Sequence, residues 1–308
     1  MSRRRMMMAK KSAISGPGYV YFATGLGIYR NIDPTVVSGW SRVYGASSKT
    51  DCWNLKFGPN GTGICTDTYN ILRSADGGET WTAVQSNTST SHLYISLATN
   101  GKGLWICSAR TGYIVHSTDD GLTWTATASN VFPNGSVISV AYGNGKFVAV
   151  KSQSTSMATS SDGINWTVST KANISAYNMI GNGIAFYDGK FYNMTDSLAP
   201  ETSEDGVTWT KYNAPAYVSG AACVGKFGST YIYAGKRDAG GTIWTSSDLS
   251  SWTVVAEASV SGLCIGVLDD SAITGDTYFY YNIFRDGVWK TYYAGNYSGI
   301  NISSIAKW

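Results

Sequence analysis

Residues 74–81 read SADGGETW. A serine, an aspartate, paired glycines and a tryptophan in so short a stretch suit either a catalytic loop or a folding staple. Copies elsewhere decide between the two. STDDGLTW stands at 117–124, SSDGINW at 160–166, SEDGVTW at 203–209 and SSDLSSW at 246–252. A monomer needs its active site once, so a motif repeated five times reads as structure. The tryptophans closing the copies are Trp81, Trp124, Trp166, Trp209 and Trp252, at steps of 43, 42, 43 and 43 residues. A constant period in the forties marks a repeat architecture. Weaker copies flank the set: GIYRNIDPTVVSGWSRV (27–43) around Trp40 and IFRDGVWKT (283–291) around Trp289. That makes seven units.

One unit, residues 91–129, divides as SHLYISLATNG, KGLWICSARTG, YIVHSTDDGL and TWTATAS. Each piece alternates apolar and polar residues and ends at Gly, Asn or Asp, the pattern of a four-stranded meander. The turn after the first strand keeps its glycine in NGKG, GNGKF and YDGKF, as hairpins with positive φ require. Seven such units predict an all-β, seven-bladed β-propeller of four-stranded antiparallel blades, whose radial repetition protects the sheet edges. The chain enters at GYVYFATG, which matches a second strand, and leaves through GINISSIAKW (299–308), which matches a first strand. The C-terminal strand is therefore expected to complete the first blade and close the ring.

Composition agrees with many short strands. Charged residues are 14% of the 308, glycines number 35, and there are 21 tyrosines and 11 tryptophans. No amphipathic helical window or apolar run near membrane-spanning length (roughly 18 residues) stands out. The net charge of +3 is unevenly placed: MSRRRMMMAKKS holds five basic residues, leaving 18 basic and 20 acidic over residues 13–308. Residues 1–17 are read as a basic arm and 18–308 as the propeller, with Arg3, Arg4, Arg5, Lys10 and Lys11 as partner-docking residues. MMMA is too short for the apolar core of a secretory signal. The five cysteines form no CxxC pair and read as small buried hydrophobes of a chain kept reduced.

The string S-x-D-x-G-x-T-W resembles the Asp-box, or BNR repeat. That repeat occurs in sialidase-like propellers, sortilin-type receptors, some glucanases and a photosystem assembly factor. Copies 74–81 and 117–124 have the full spacing; the other three are one residue shorter, and SSDLSSW has lost its glycine. Ser and Asp bind the backbone of a tight turn, Gly takes the left-handed position, and Trp covers the neighbouring sheet. The resemblance places the hairpin between third and fourth strands, away from the ligand face. Ser74, Asp76, Gly78, Trp81, Ser117, Asp119, Gly121, Trp124, Asp162, Trp166, Asp205, Trp209, Asp248 and Trp252 are thereby structural.

Function is sought on the opposite face, in loops such as QSNTSTSH, ASNVFPNGS and STKANISAYN, whose Ser, Asn and Tyr suit adaptable hydrogen bonding and stacking. Arg42, Tyr69, Arg110, Lys151, Tyr177, Arg237 and Asp238 are the ligand-face candidates. A sialidase would need an arginine triad, a Tyr–Glu nucleophile pair and an acidic partner. Arg42, Arg110 and Arg237 supply a triad by number. YRNI (29–32) departs from the family's YRIP, however, and only Glu257 among four glutamates is placed to face a ligand. Paired carboxylates, as glycoside hydrolysis requires, are not evident. His92 and His116 lie on separate strands and no metal-ligand spacing occurs, so no cofactor or metal is expected. The nearly neutral body makes nucleic acid an improbable main partner.

The opening MSRRRMMMAKK also resembles the starts of bacteriophage proteins. The resulting expectation is a non-enzymatic virion protein, made in the bacterial cytoplasm. Its arm would dock onto other virion proteins while its propeller binds a neighbouring protein or a host glycan. A sialidase-like glycoside hydrolase and a bacterial assembly factor are the alternatives.

Overall fold

The computed structural model describes residues 18–45, 51–86, 93–127, 130–132, 137–151, 154–170, 183–194, 199–216, 220–237, 240–258, 264–275, 280–293 and 301–308. The basic arm, with Arg3, Arg4, Arg5, Lys10 and Lys11, lies outside them, as do Tyr177 and Asp238. The described strands form seven four-stranded antiparallel sheets, each a blade. In blades 2 to 7 the strands follow one another from the inside of the ring outwards. Blade 1 differs: its order is Ile302–Lys307, Val20–Thr24, Gly27–Asn31, Ser41–Tyr44. The last strand of the chain is thus the innermost strand of the first blade, paired Val20 to Lys307 and Ala23 to Ser304. No helix among the described residues is long and apolar enough to cross a membrane.

The innermost strands are tied to one another by a repeated polar contact. The Leu55 N–H donates to Ser304 Oγ (3.2 Å) and the Leu97 N–H to Asn54 Oδ1 (3.3 Å). The Val140 N–H donates to Ser96 Oγ (3.2 Å) and the Ile184 N–H to Ser139 Oγ (3.1 Å). In each case a short polar side chain of one blade satisfies a backbone donor of the next. This explains why Asn54, Ser96, Ser139 and Ser304 are buried without the penalty of an unpaired polar group.

Between blades the packing is apolar and equally regular. Tyr21, Ala23 and Ile28 of blade 1 meet Leu55, Cys65 and Leu72 of blade 2, with Trp81 at the edge. Ile64 and Ile71 of blade 2 meet Leu97, Trp105 and Trp124 of blade 3. Trp166, Trp209, Trp252 and Trp289 close the next four seams in the same way. At the last seam, Phe22 and Tyr29 of blade 1 meet Ile273 and Tyr281 of blade 7, with Trp40 stacked on Phe22 at 4.0 Å. All five cysteines are buried, and none is in a disulfide.

Candidate functional site

An antiparallel meander sorts its connections by face. Turns after first strands and box hairpins after third strands share one face; loops after second and fourth strands share the other. The box face is the better described. In blade 3 the Ser117 hydroxyl donates to Asp119 Oδ1 (2.7 Å) and accepts from the Gly121 N–H (2.8 Å). Asp119 accepts from the Thr123 N–H (2.9 Å) and hydroxyl (2.5 Å), and the Trp124 indole donates to Gly121 O (3.1 Å). Ser74, Asp76, Gly78 and Trp81 repeat this network in blade 2. Asp162, Asp205 and Asp248 each accept two consecutive backbone N–H groups in the shorter boxes. Bonds to Thr123, foremost its hydroxyl, hold Asp119 down at about 2. Asp248 is likewise pulled to about 2, chiefly by the Ser251 N–H. In Asp205 burial opposes ionisation, yet the bonds together outweigh it and the value is again about 2. These are spent carboxylates: their lone pairs are engaged in the turn.

Cations on third strands reach across the seams. Arg73 Nε donates to Asp120 O (3.0 Å) in the next blade's box. Arg30 pairs with Glu79 of the blade 2 box and lies over the Tyr19 ring. Asp120 in turn accepts from Asn60 (2.7 Å) and Trp105 (3.1 Å) and from the Thr62 hydroxyl. At the seam between blades 7 and 1, Trp40 Nε1 donates to the Tyr281 hydroxyl (3.0 Å), which donates to Pro34 O (2.6 Å). His116 occupies the equivalent third-strand position in blade 3, where burial lowers its pKa against the opposing charge of Asp162.

The ring encloses an axial channel, with a cavity of about 400 Å³ lined by all seven innermost strands. Its walls are apolar towards the middle (Leu55, Val140, Ile184, Val224) and aromatic or cationic towards the box face (Lys56, Tyr142, Phe186, Tyr187, Lys307). Burial pushes the Tyr187 hydroxyl up to about 12, so it stays a neutral donor. Lys56 is open to water inside the channel, yet protein surrounds it, and this desolvation lowers its pKa.

The ligand-face candidates are only partly brought together. Tyr69 and Arg110 sit in the loops after the second strands of blades 2 and 3, both exposed. Their backbone N–H groups are fixed on Asp67 Oδ1 (2.9 Å) and Leu93 O (2.9 Å). Lys151 ends the second strand of blade 4 and Arg237 that of blade 6. Arg42 differs from its expected place: it lies on Ser41–Tyr44, the outermost strand of blade 1, paired with Tyr29. The short step from Trp40 carries the chain directly into that strand, leaving no loop for Arg42 to occupy. Arg42, Arg110 and Arg237 therefore belong to blades 1, 3 and 6, Arg42 on an outermost strand and the other two at the ends of second strands. Glu257 is on the outermost strand of blade 6. Glu201 is buried and accepts from Asn193 Nδ2 (2.6 Å), and Asp67 clamps the Asn70 turn. Among the described residues no group of three or more His, Cys, Asp or Glu is placed to hold a metal. Lys56, Tyr142 and Tyr187 were not singled out from sequence. Their signal is positional: each falls in the last two residues before the first turn of its unit.

Seven four-stranded blades around a narrow channel, five of them with an Asp-box whose carboxylate is engaged, and a chain-end closure define a BNR-type β-propeller. Within that class the chain belongs to the Photosynthesis system II assembly factor YCF48 family, PSII_BNR, which matches residues 37–248. The fold is similar to YCF48 from Cyanidioschyzon merolae, with a TM-score of 0.64 and 15% identity over 84% of this chain and 90% of that one. It is also similar to a YCF48 bound to D1 peptide (TM-score 0.62, 13% identity, 83% and 90% covered). A GH74 xyloglucanase from Xanthomonas campestris shares the fold as well (TM-score 0.55, 12% identity), over 79% of this chain but 45% of its own. Among curated proteins none matches the chain significantly in sequence. Nothing in these comparisons supports the resemblance to bacteriophage proteins.

Proposed function

We propose that the protein is a non-enzymatic assembly factor, a propeller that holds a peptide segment of a partner protein while that partner is built into a larger complex. The observation that carries this reading is the family match across residues 37–248, more than half of the chain. The fold it shares with a YCF48 bound to D1 peptide supports a peptide as the class of ligand. The hydrolase alternative is weakened by the place of Arg42 on an outermost strand and by the engagement of Glu201 and Asp67 in internal hydrogen bonds. The virion reading, which starts from the resemblance of residues 1–11, gains no support from the comparisons.

The test is a fluorescence-anisotropy titration of the full chain with labelled D1 peptide, beside an assay for reducing ends released from xyloglucan. Saturable peptide binding without sugar release is the expected result. Steady hydrolysis of xyloglucan with no peptide binding would overturn the proposal.

A further inference from the structure

The mouth of the axial channel on the box face is electrostatically incomplete. Among the described residues lining the channel none is an Asp or Glu, and Lys56 and Lys307 are the two charged ones. Three carboxylates on first turns of the same face are already engaged. Asp269 holds Lys307 at 2.6 Å, Asp188 holds Lys226 and Asp270 holds Arg285 at 3.0 Å. Lys56 lines the channel, open to its water, and has no counter-ion among the described residues. An unpaired ammonium between low-dielectric walls attracts an incoming anion more than a paired surface lysine does.

The shape of the mouth narrows the choice of anion. Tyr142, Phe186 and Tyr187 flank it on consecutive blades, with Phe57 next to Lys56. Aromatic walls beside one cation suit a singly charged group carried on an extended chain. A phosphate dianion favours bidentate arginine or several cations. We propose that this mouth is a carboxylate-binding site in which Lys56 Nζ pairs with the C-terminal or a side-chain carboxylate of a peptide threaded between Tyr142, Phe186 and Tyr187. The assignment rests on the proposed function for its peptide, but the site itself is testable without one.

Two titrations of the full chain separate the claims. The first uses N-acetylalanine, a minimal peptide C-terminus, read by NMR through the backbone amides of Lys56 and Phe57. The site requires a saturable shift with the acid, none with N-acetylalaninamide, and none in Lys56→Met, which keeps the aliphatic stem and whose folding is checked by its melting temperature. No saturable shift in the wild type overturns the site. The second titration uses the D1 peptide as free acid, as C-terminal amide, and with its acidic side chains replaced by amides. Lys56→Met is expected to weaken the free acid at least 10-fold, as loss of one member of a desolvated charge pair does. The amide that removes the responsible carboxylate should match that loss and identify which carboxylate is read. Equal binding by wild type and Lys56→Met overturns the role of Lys56 while leaving the assembly-factor reading intact. Failure of the wild type to bind any D1 peptide, with N-acetylalanine still saturating, overturns that reading and leaves the carboxylate site.

Discussion

At the scale of single residues, the box glycines carry two constraints at once. Gly121 has a φ of +82°, and a Cβ built there would stand 2.5 Å from Ile64 Cδ1 of the preceding blade. Gly78, Gly163 and Gly206 make the same approach to Tyr21, Ile106 and Val148. Gly121→Ala therefore adds left-handed strain to overpacking, and a loss of about 2–4 kcal/mol is expected by chemical denaturation. An unchanged denaturation midpoint would refute the close approach. Blade 6 shows the exception: Leu249 takes the glycine position at φ 65° and is buried in its seam. There the Trp252 indole donates instead to Asn213 O (2.9 Å) of the neighbouring blade segment. The staple residues were legible in sequence because their chemistry repeats. Lys56 was not, because a lone lysine becomes a site only once seven strands surround it.

At the scale of elements, the first blade depends on a strand nearly the whole chain away. Ile302–Lys307 supplies its innermost position, and Trp308 continues the lock. The Trp308 N–H donates to Tyr19 O (3.0 Å), and its indole lies where a Cβ at Gly61 or Gly77 of blade 2 would stand, 2.6 and 2.5 Å away. Trp308 is half-buried, so Trp308→Ala should lower stability by about 2 kcal/mol, less than truncation of a fully buried aromatic. Removing residues 299–308 should abolish the cooperative transition seen by circular dichroism, and a truncated chain that melts as the full one does would refute closure by this strand. This pairing was readable from sequence because GYVYFATG and GINISSIAKW each lack the partner the other provides. The place of Arg42 was not, since the blade 1 box carries extra residues between Asp33 and Trp40 that obscure where its fourth strand begins.

At the scale of the molecule, the box aspartates link stability to acid. Asp119, Asp205 and Asp248 sit near 2 in the folded ring, below the ordinary 3.8 of the unfolded chain. A depressed folded pKa gives stability that is present above the unfolded value and is lost as pH falls towards the folded one. The melting temperature should thus vary little from neutral pH to about 5 and fall between about 4 and 2. Asp119→Asn should flatten part of that slope; a melting temperature independent of pH down to 2 would contradict the linkage. The whole ring also sets what binding must look like, because the innermost strands share one channel and an occupant touches several blades at once. Hydrogen–deuterium exchange of the full chain with and without saturating D1 peptide tests this most directly. The account predicts slowed exchange in Cys52–Phe57, Val137–Gly143 and Ile184–Tyr187, with the box hairpins unaltered. Unchanged exchange throughout, or slowing confined to the outermost strands, would contradict it.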